Sequence, residues 1–111
     1  MYMAEATMEK IRPKDIRRLY DGGVIAGGVQ RALNDLLADS SVRPVCVGST
    51  VSDLMRQGSG TVAVMREGKQ LLSFPLGSDA AEAVVYTENC QGNEDRYAGI
   101  AEKYGLSVIR S

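Results

Sequence analysis

The stretch Thr61–Leu76, TVAVMREGKQLLSFPL, constrains the fold more than any other. Two runs rich in Val, Leu and Phe flank Arg66-Glu67-Gly68, the pattern of a β-hairpin with a glycine-containing turn, and its strands are the expected floor of the core. A two-residue loop at Glu67-Gly68 would pair Val64 with Leu71 and set Val62 against Ser73. A three-residue loop with Gly68 left-handed would pair Met65 with Lys69 and gather Val62, Val64, Leu72 and Phe74 on one face. The second register collects the larger apolar set and is preferred. Ala63, Met65, Leu71 and Ser73 fall on the other face, which is only half polar and leaves room for a second cover. Pro75 cannot donate to a ladder, so the second strand is at an edge or ends there.

The chain has 111 residues, 44% hydrophobic and 24% charged, which suits a single ordinary domain over 1–111. So short a domain buries a modest share of its surface, and a homodimer interface would add useful burial. A net charge of −1 gives no reason to expect nucleic acid or a membrane as partner. Charge is uneven, however. Lys10, Arg12, Lys14, Arg17 and Arg18 outnumber the acids near the start, whereas Asp79, Glu82, Glu88, Glu94 and Asp95 face only Arg96 later on. Both stretches read as solvated faces. The first residues lack the apolar segment of a signal peptide, and no run approaches the roughly 20 apolar residues of a membrane helix. Two cysteines are too few for a disulfide framework, so a cytoplasmic protein is expected.

Residues 1–12 read as loosely attached. Pro13 can open a helix, with Asp15 suited to its dipole and Ile16, Leu19 and Tyr20 as its stripe, until Asp21-Gly22-Gly23 stops it. The spacing of Ile25, Val29, Leu33, Leu36 and Leu37 predicts a second helix from about Val24 to Asp39. Gly27-Gly28 inside it costs about 1 kcal/mol per glycine, a cost that marks close packing. The packing partner is the protein's own sheet or a second copy of the chain. Pro44–Gly48 reads as a buried strand, and Ser49 or Thr50 caps a short helix stopped by Gly58. Ala83–Thr87 reads as a strand and Glu88–Gly92 as a loop carrying Cys90. Asn93 caps a last helix whose stripe is Tyr97, Ile100, Ala101 and Tyr104, and Gly105 stops it before a strand at Leu106–Ile109. The expected core includes Val47, Val62, Val64, Leu72, Phe74, Ile100 and Val108. Strand–helix–strand occurs twice, which favours parallel pairing, while the hairpin is antiparallel. The expected fold is therefore α/β (or α+β): a single-layer mixed sheet of about five strands including a central hairpin, with helices packed on it.

The absence of histidine excludes a Ser-His-Asp or Cys-His catalytic set, and two cysteines cannot close a zinc site. Neither GxGxxG nor GxxxxGK[ST] occurs. Gly48-Ser49-Thr50, between a strand and a helix, is a candidate phosphate turn. Cys90 precedes a helix N-terminus, where a thiolate is stabilised, but Glu88 and Glu94 oppose it and no base adjoins it. Glu88, Glu94 and Asp95 read as loop solubility rather than a magnesium site. No catalytic residue, metal or cofactor is assigned. The leading expectation is a non-enzymatic binding or interaction module acting as a homodimer, its seam at the Gly27-Gly28 helix or an exposed hairpin edge. The alternative is a small enzyme or nucleotide-binding protein using Ser49, Thr50 and Cys90 as ligand-binding residues in one shared pocket.

Overall fold

A computed structural model describes residues 8–111. The elements run α1 (Pro13–Asp21), α2 (Gly27–Leu37), β1 (Arg43–Cys46), α3 (Val51–Gln57), β2 (Gly60–Arg66), β3 (Lys69–Leu76), β4 (Glu82–Val85), α4 (Thr87–Cys90), α5 (Glu94–Lys103) and β5 (Ser107–Arg110). The five strands form one mixed sheet in the order β1-β2-β3-β4-β5, with the hairpin β2–β3 inside it and helices packed on it. Among the strands of the described residues, β4 and β5 alone pair in parallel, joined through α4 and α5. The other strand–helix–strand unit, β1-α3-β2, departs from the expected crossover: α3 spans 7 residues and returns the chain antiparallel to β1.

The hairpin reaches the predicted apolar face by another route. Arg66 pairs with Lys69 and Met65 with Gln70, not Met65 with Lys69. Glu67 (φ 51°) and Gly68 (φ 80°) are both left-handed, the backbone of a tight two-residue turn whose twist matches the strands. A bulge beyond Met65 then shifts the register by one, so that Val64 meets Leu72 and Val62 meets Phe74. Val62, Val64, Leu72 and Phe74 are all fully buried. Pro75 lies one residue before β3 ends, past the last residues that β4 pairs.

Val29, Leu33 and Leu36 of α2, Leu54 of α3 and Tyr97 and Ala101 of α5 close over this face. Val47, Ile100 and Val108 are half-buried rather than core: Val47 lies just past β1, Val108 is on the edge strand β5, and Ile100 packs against the core from α5 without being enclosed by it. The second helix starts later than predicted. Val24 and Ile25 are buried, but in a connection fixed by Val24 N–H to Leu19 O (2.9 Å) and Gly77 N–H to Val24 O (3.0 Å). The close approach at Gly28 is met within the chain: a Cβ there would stand 2.6 Å from the Tyr104 carbonyl oxygen, at the end of α5 rather than on the sheet. Tyr104 Oη donates to Asp35 at 2.8 Å and ties the same two helices together.

Residues 8–12 depart from the expectation of loose attachment; residues 1–7 lie outside the described residues. Ile11 is fully buried, its N–H donates to Pro44 O (2.9 Å), and Cys46 N–H donates to Glu9 O (2.8 Å). This segment therefore runs along the outer edge of β1. The strand predicted at Ala83–Thr87 ends at Val85, because Thr87 already begins α4.

Candidate functional site

The predicted ligand residues do not meet. Ser49 and Thr50 follow the end of β1, where Cys46 pairs with Val62 and Val62 with Phe74. The Cys90 Sγ lies 3.6 Å from Leu71 O, near the hairpin end of the sheet. The two places are at opposite ends of the central strands, so no single pocket joins them. The helix start that follows Gly48-Ser49 also has three of its donors taken. Thr50 Oγ1 accepts from Asp53 N–H (3.1 Å), Asp53 Oδ2 accepts from Thr50 N–H (3.1 Å) and Glu9 Oε1 accepts from Val51 N–H (2.6 Å). The protein's own carboxylates stand where a phosphate would bind.

Cys90 is not on a loop. It closes the helical turn α4, is fully buried, and its thiol lies 3.2 Å from Tyr86 O. Burial pushes the thiol up and the Glu94 charge adds to this, while Arg66 pulls the other way. The thiolate is thus disfavoured at neutral pH. Asn93 stands at the N-cap of α5, but its side chain makes no capping bond. Asp95, from the acidic set, pairs instead with Arg110 at 3.0 Å.

The sheet carries two groupings that sequence patterns did not reveal, one at its hairpin end and one across its middle. On the core side, Arg66 Nη2 donates to Tyr97 Oη (2.7 Å) and to Asp39 Oδ2 (3.2 Å), and its guanidinium carbon lies 5.9 Å from the Tyr97 ring centroid. The Ser41 hydroxyl and amide hold the Asp39 carboxyl below the usual carboxylate range, and Arg66 adds to the effect. This network fastens the hairpin turn to α5 and to the connection after α2.

On the opposite face, residues directly paired across the ladder form one row: Val45, Ala63, Ser73, Val84 and Ile109. None of these belongs to the helix-packed core. Ser73 Oγ bonds Tyr86 Oη at 3.1 Å, which satisfies the one hydroxyl in the row. Toward β1, this face opens into a cleft of about 470 Å³ lined by Met8, Lys10, Arg43, Val45, Met65 and Gly68. A polar lobe of about 280 Å³ adjoins it, lined in part by Ser40, Ser41 and Glu67. Toward β5 the row ends at Ile109, which is 47% exposed on a strand with no outer neighbour among the described residues. No signal at the sequence level could have joined these residues, since they come from five strands and from the 8–11 segment.

The chain matches no protein-family model, no curated protein and no solved structure. Among the described residues, no helix is long and apolar enough to cross a membrane.

Proposed function

We propose that the chain is a non-enzymatic interaction module that associates with a second copy of itself through the edge of β5. The observation that carries this reading is the state of the two sheet edges. β1 is bordered by residues 8–11, through Lys10 against Val45 and Met8 against Ser49. β5 has no neighbour on its outer side among the described residues. The seams expected from sequence, by contrast, are already used. Gly28 faces Tyr104 of its own chain, and both strands of the hairpin are paired on each side.

Geometry supports a symmetric pairing. Ser107 N–H donates to Ala81 O and Ser111 N–H to Val85 O, each at 2.8 Å, so alternate residues of β5 face β4. The backbone groups of Val108 and Arg110 therefore point outward. An antiparallel match about a two-fold axis at Ile109 would pair Val108 with Arg110 of the second copy, and the reverse. Ile109 would face its own counterpart in a non-hydrogen-bonded pair, where side chains approach closest. An unprotected edge of this kind is a template for pairing. The seam is short, so the affinity expected is micromolar rather than nanomolar. A cytoplasmic setting belongs to this reading, supported by two free, buried cysteines.

Sedimentation velocity tests it. The wild type should dimerise at high micromolar concentration, and Ile109→Lys should be monomeric and folded. Tyr20→Ser, at the other exposed large hydrophobic among the described residues (42%), should leave association unchanged. A monomeric wild type at high micromolar concentration refutes the reading.

A further inference from the structure

We propose that the cleft on the helix-free face of the sheet, beside β1, binds a small carboxylate carrying an apolar tail. The volume, about 470 Å³, falls within the range of small-molecule sites. Its lining divides in two. Met8, Val45 and Met65 supply an apolar floor, with methionine side chains that can adjust to a flexible chain. Lys10 and Arg43 supply the charge. Arg43 and Met65 are directly paired across β1 and β2, as are Val45 and Lys10 across β1 and the edge segment, so each cation stands beside an apolar partner. Among the described residues, neither Lys10 nor Arg43 forms an ion pair, a state shared with Lys14, Arg31, Lys69 and Arg96, none of which lines the cleft.

The choice of ligand follows from these positions. Arg43 offers a planar fork that matches a carboxylate, and Lys10 a second positive charge on the same rim. A bare anion would leave the half-buried Met8 and Met65 uncovered, and a neutral apolar molecule would leave both cations unanswered. No acidic residue lines the cleft among the described residues: Glu67 lines the adjoining lobe, and the carboxylate of Glu9, between Met8 and Lys10, is engaged by Val51 N–H. An anionic head held at Lys10 and Arg43 with its tail over Val45 and Met65 satisfies both halves. The site is independent of the self-association reading, because β1 and β5 are opposite edges of the sheet.

Titration of the full chain with octanoate, followed by amide chemical shifts, tests the proposal. Saturable changes are expected at Val45, Met65 and Gly68. Neutral octanol should bind about tenfold more weakly, and Arg43→Gln and Lys10→Gln should each weaken octanoate by about fivefold, the scale of an exposed ion pair. Both side chains are exposed, so the variants should fold as the wild type does. The proposal is overturned by no saturable change, by octanol binding as tightly as octanoate, or by inorganic phosphate binding as tightly as octanoate. Unaltered octanoate binding by both glutamine variants would overturn it as well.

Discussion

Replacing Gly28 with alanine should destabilise the protein, although alanine is the better helix former. The exchange gains up to about 1 kcal/mol from intrinsic propensity. The new Cβ, however, would stand 2.6 Å from the Tyr104 carbonyl oxygen and 3.2 Å from Leu106 Cδ2. A backbone oxygen held at the end of a helix cannot swing aside as a side-chain tip can. Tyr104 is further tied by its bond to Asp35, and Leu106 by its N–H to Ala101 O at 3.1 Å. Relief therefore requires α2 and α5 to separate, at the overpacking cost of about 1–3 kcal/mol. The net expectation is a loss of about 1–2 kcal/mol, or a melting midpoint lower by about 4–8 °C. Gly27 provides the internal control. A Cβ there meets nothing closer than the Tyr20 ring at 3.8 Å, so Gly27→Ala should be neutral or slightly stabilising. Urea denaturation of the two variants side by side reads the difference. Equal midpoints for both would refute the close packing of α2 on α5.

Phe74→Ala should cost about 3–5 kcal/mol in urea denaturation, since the ring is fully buried among both sheet and helix residues; a change under about 1 kcal/mol would contradict the hairpin register. Asp15 should make the fold acid-sensitive. Burial raises its pKa, but the Arg12 amide and guanidinium and the Arg18 charge outweigh this and hold it below the usual carboxylate range. A depressed carboxylate contributes stability above its unfolded pKa and loses it as pH falls through the folded one. The gap between wild type and Asp15→Asn in denaturation should therefore close in acid; a gap that is constant with pH would refute this. Native protein should react slowly with a thiol reagent at neutral pH, because burial and the charges of Glu9, Asp15 and Asp53 push Cys46 up to about 12, and Cys90 is also raised. Fast stoichiometric labelling of native Cys90 would restore the reactive-thiol reading.

What was legible in the sequence was what local chemistry decides. Gly105 stops α5 in the left-handed conformation (φ 82°), and Leu106 turns back into the core. Thr50 and Asp53 form the reciprocal cap of α3. The apolar hairpin face was legible too, because burial of Val62, Val64, Leu72 and Phe74 is demanded whatever the turn. The bulge was not, since a tight left-handed turn and a register shift compensate each other, and no residue type announces the pair. Val24 and Ile25 carry helical spacing yet lie outside α2. Spacing reports which residues are buried, and a connection can bury them as well as a helix can when Gly22-Gly23 lets the chain turn sharply before it.

The candidate sites failed to be legible for a related reason. A strand-to-helix turn such as Gly48-Ser49-Thr50 has free donors only if nothing else in the chain reaches them. Here Glu9 reaches Val51 N–H from 42 positions away, a contact that local pattern cannot foresee. That same bond explains why residues 8–11 stay at the edge of β1. The Glu9 carboxylate is fixed at the helix start, its backbone oxygen takes Cys46 N–H, and Lys10 is carried to the rim of the open sheet face beside Arg43. One acidic side chain thus closes an anion site at the end of β1 and, by anchoring its neighbour, sets a positive charge at another. Glu9→Ala should release both: the first-turn donor of α3 loses its partner, and octanoate binding at the cleft should weaken along with Lys10→Gln. Stability lost without any change in octanoate affinity would separate the two roles and show that Lys10 is positioned without Glu9.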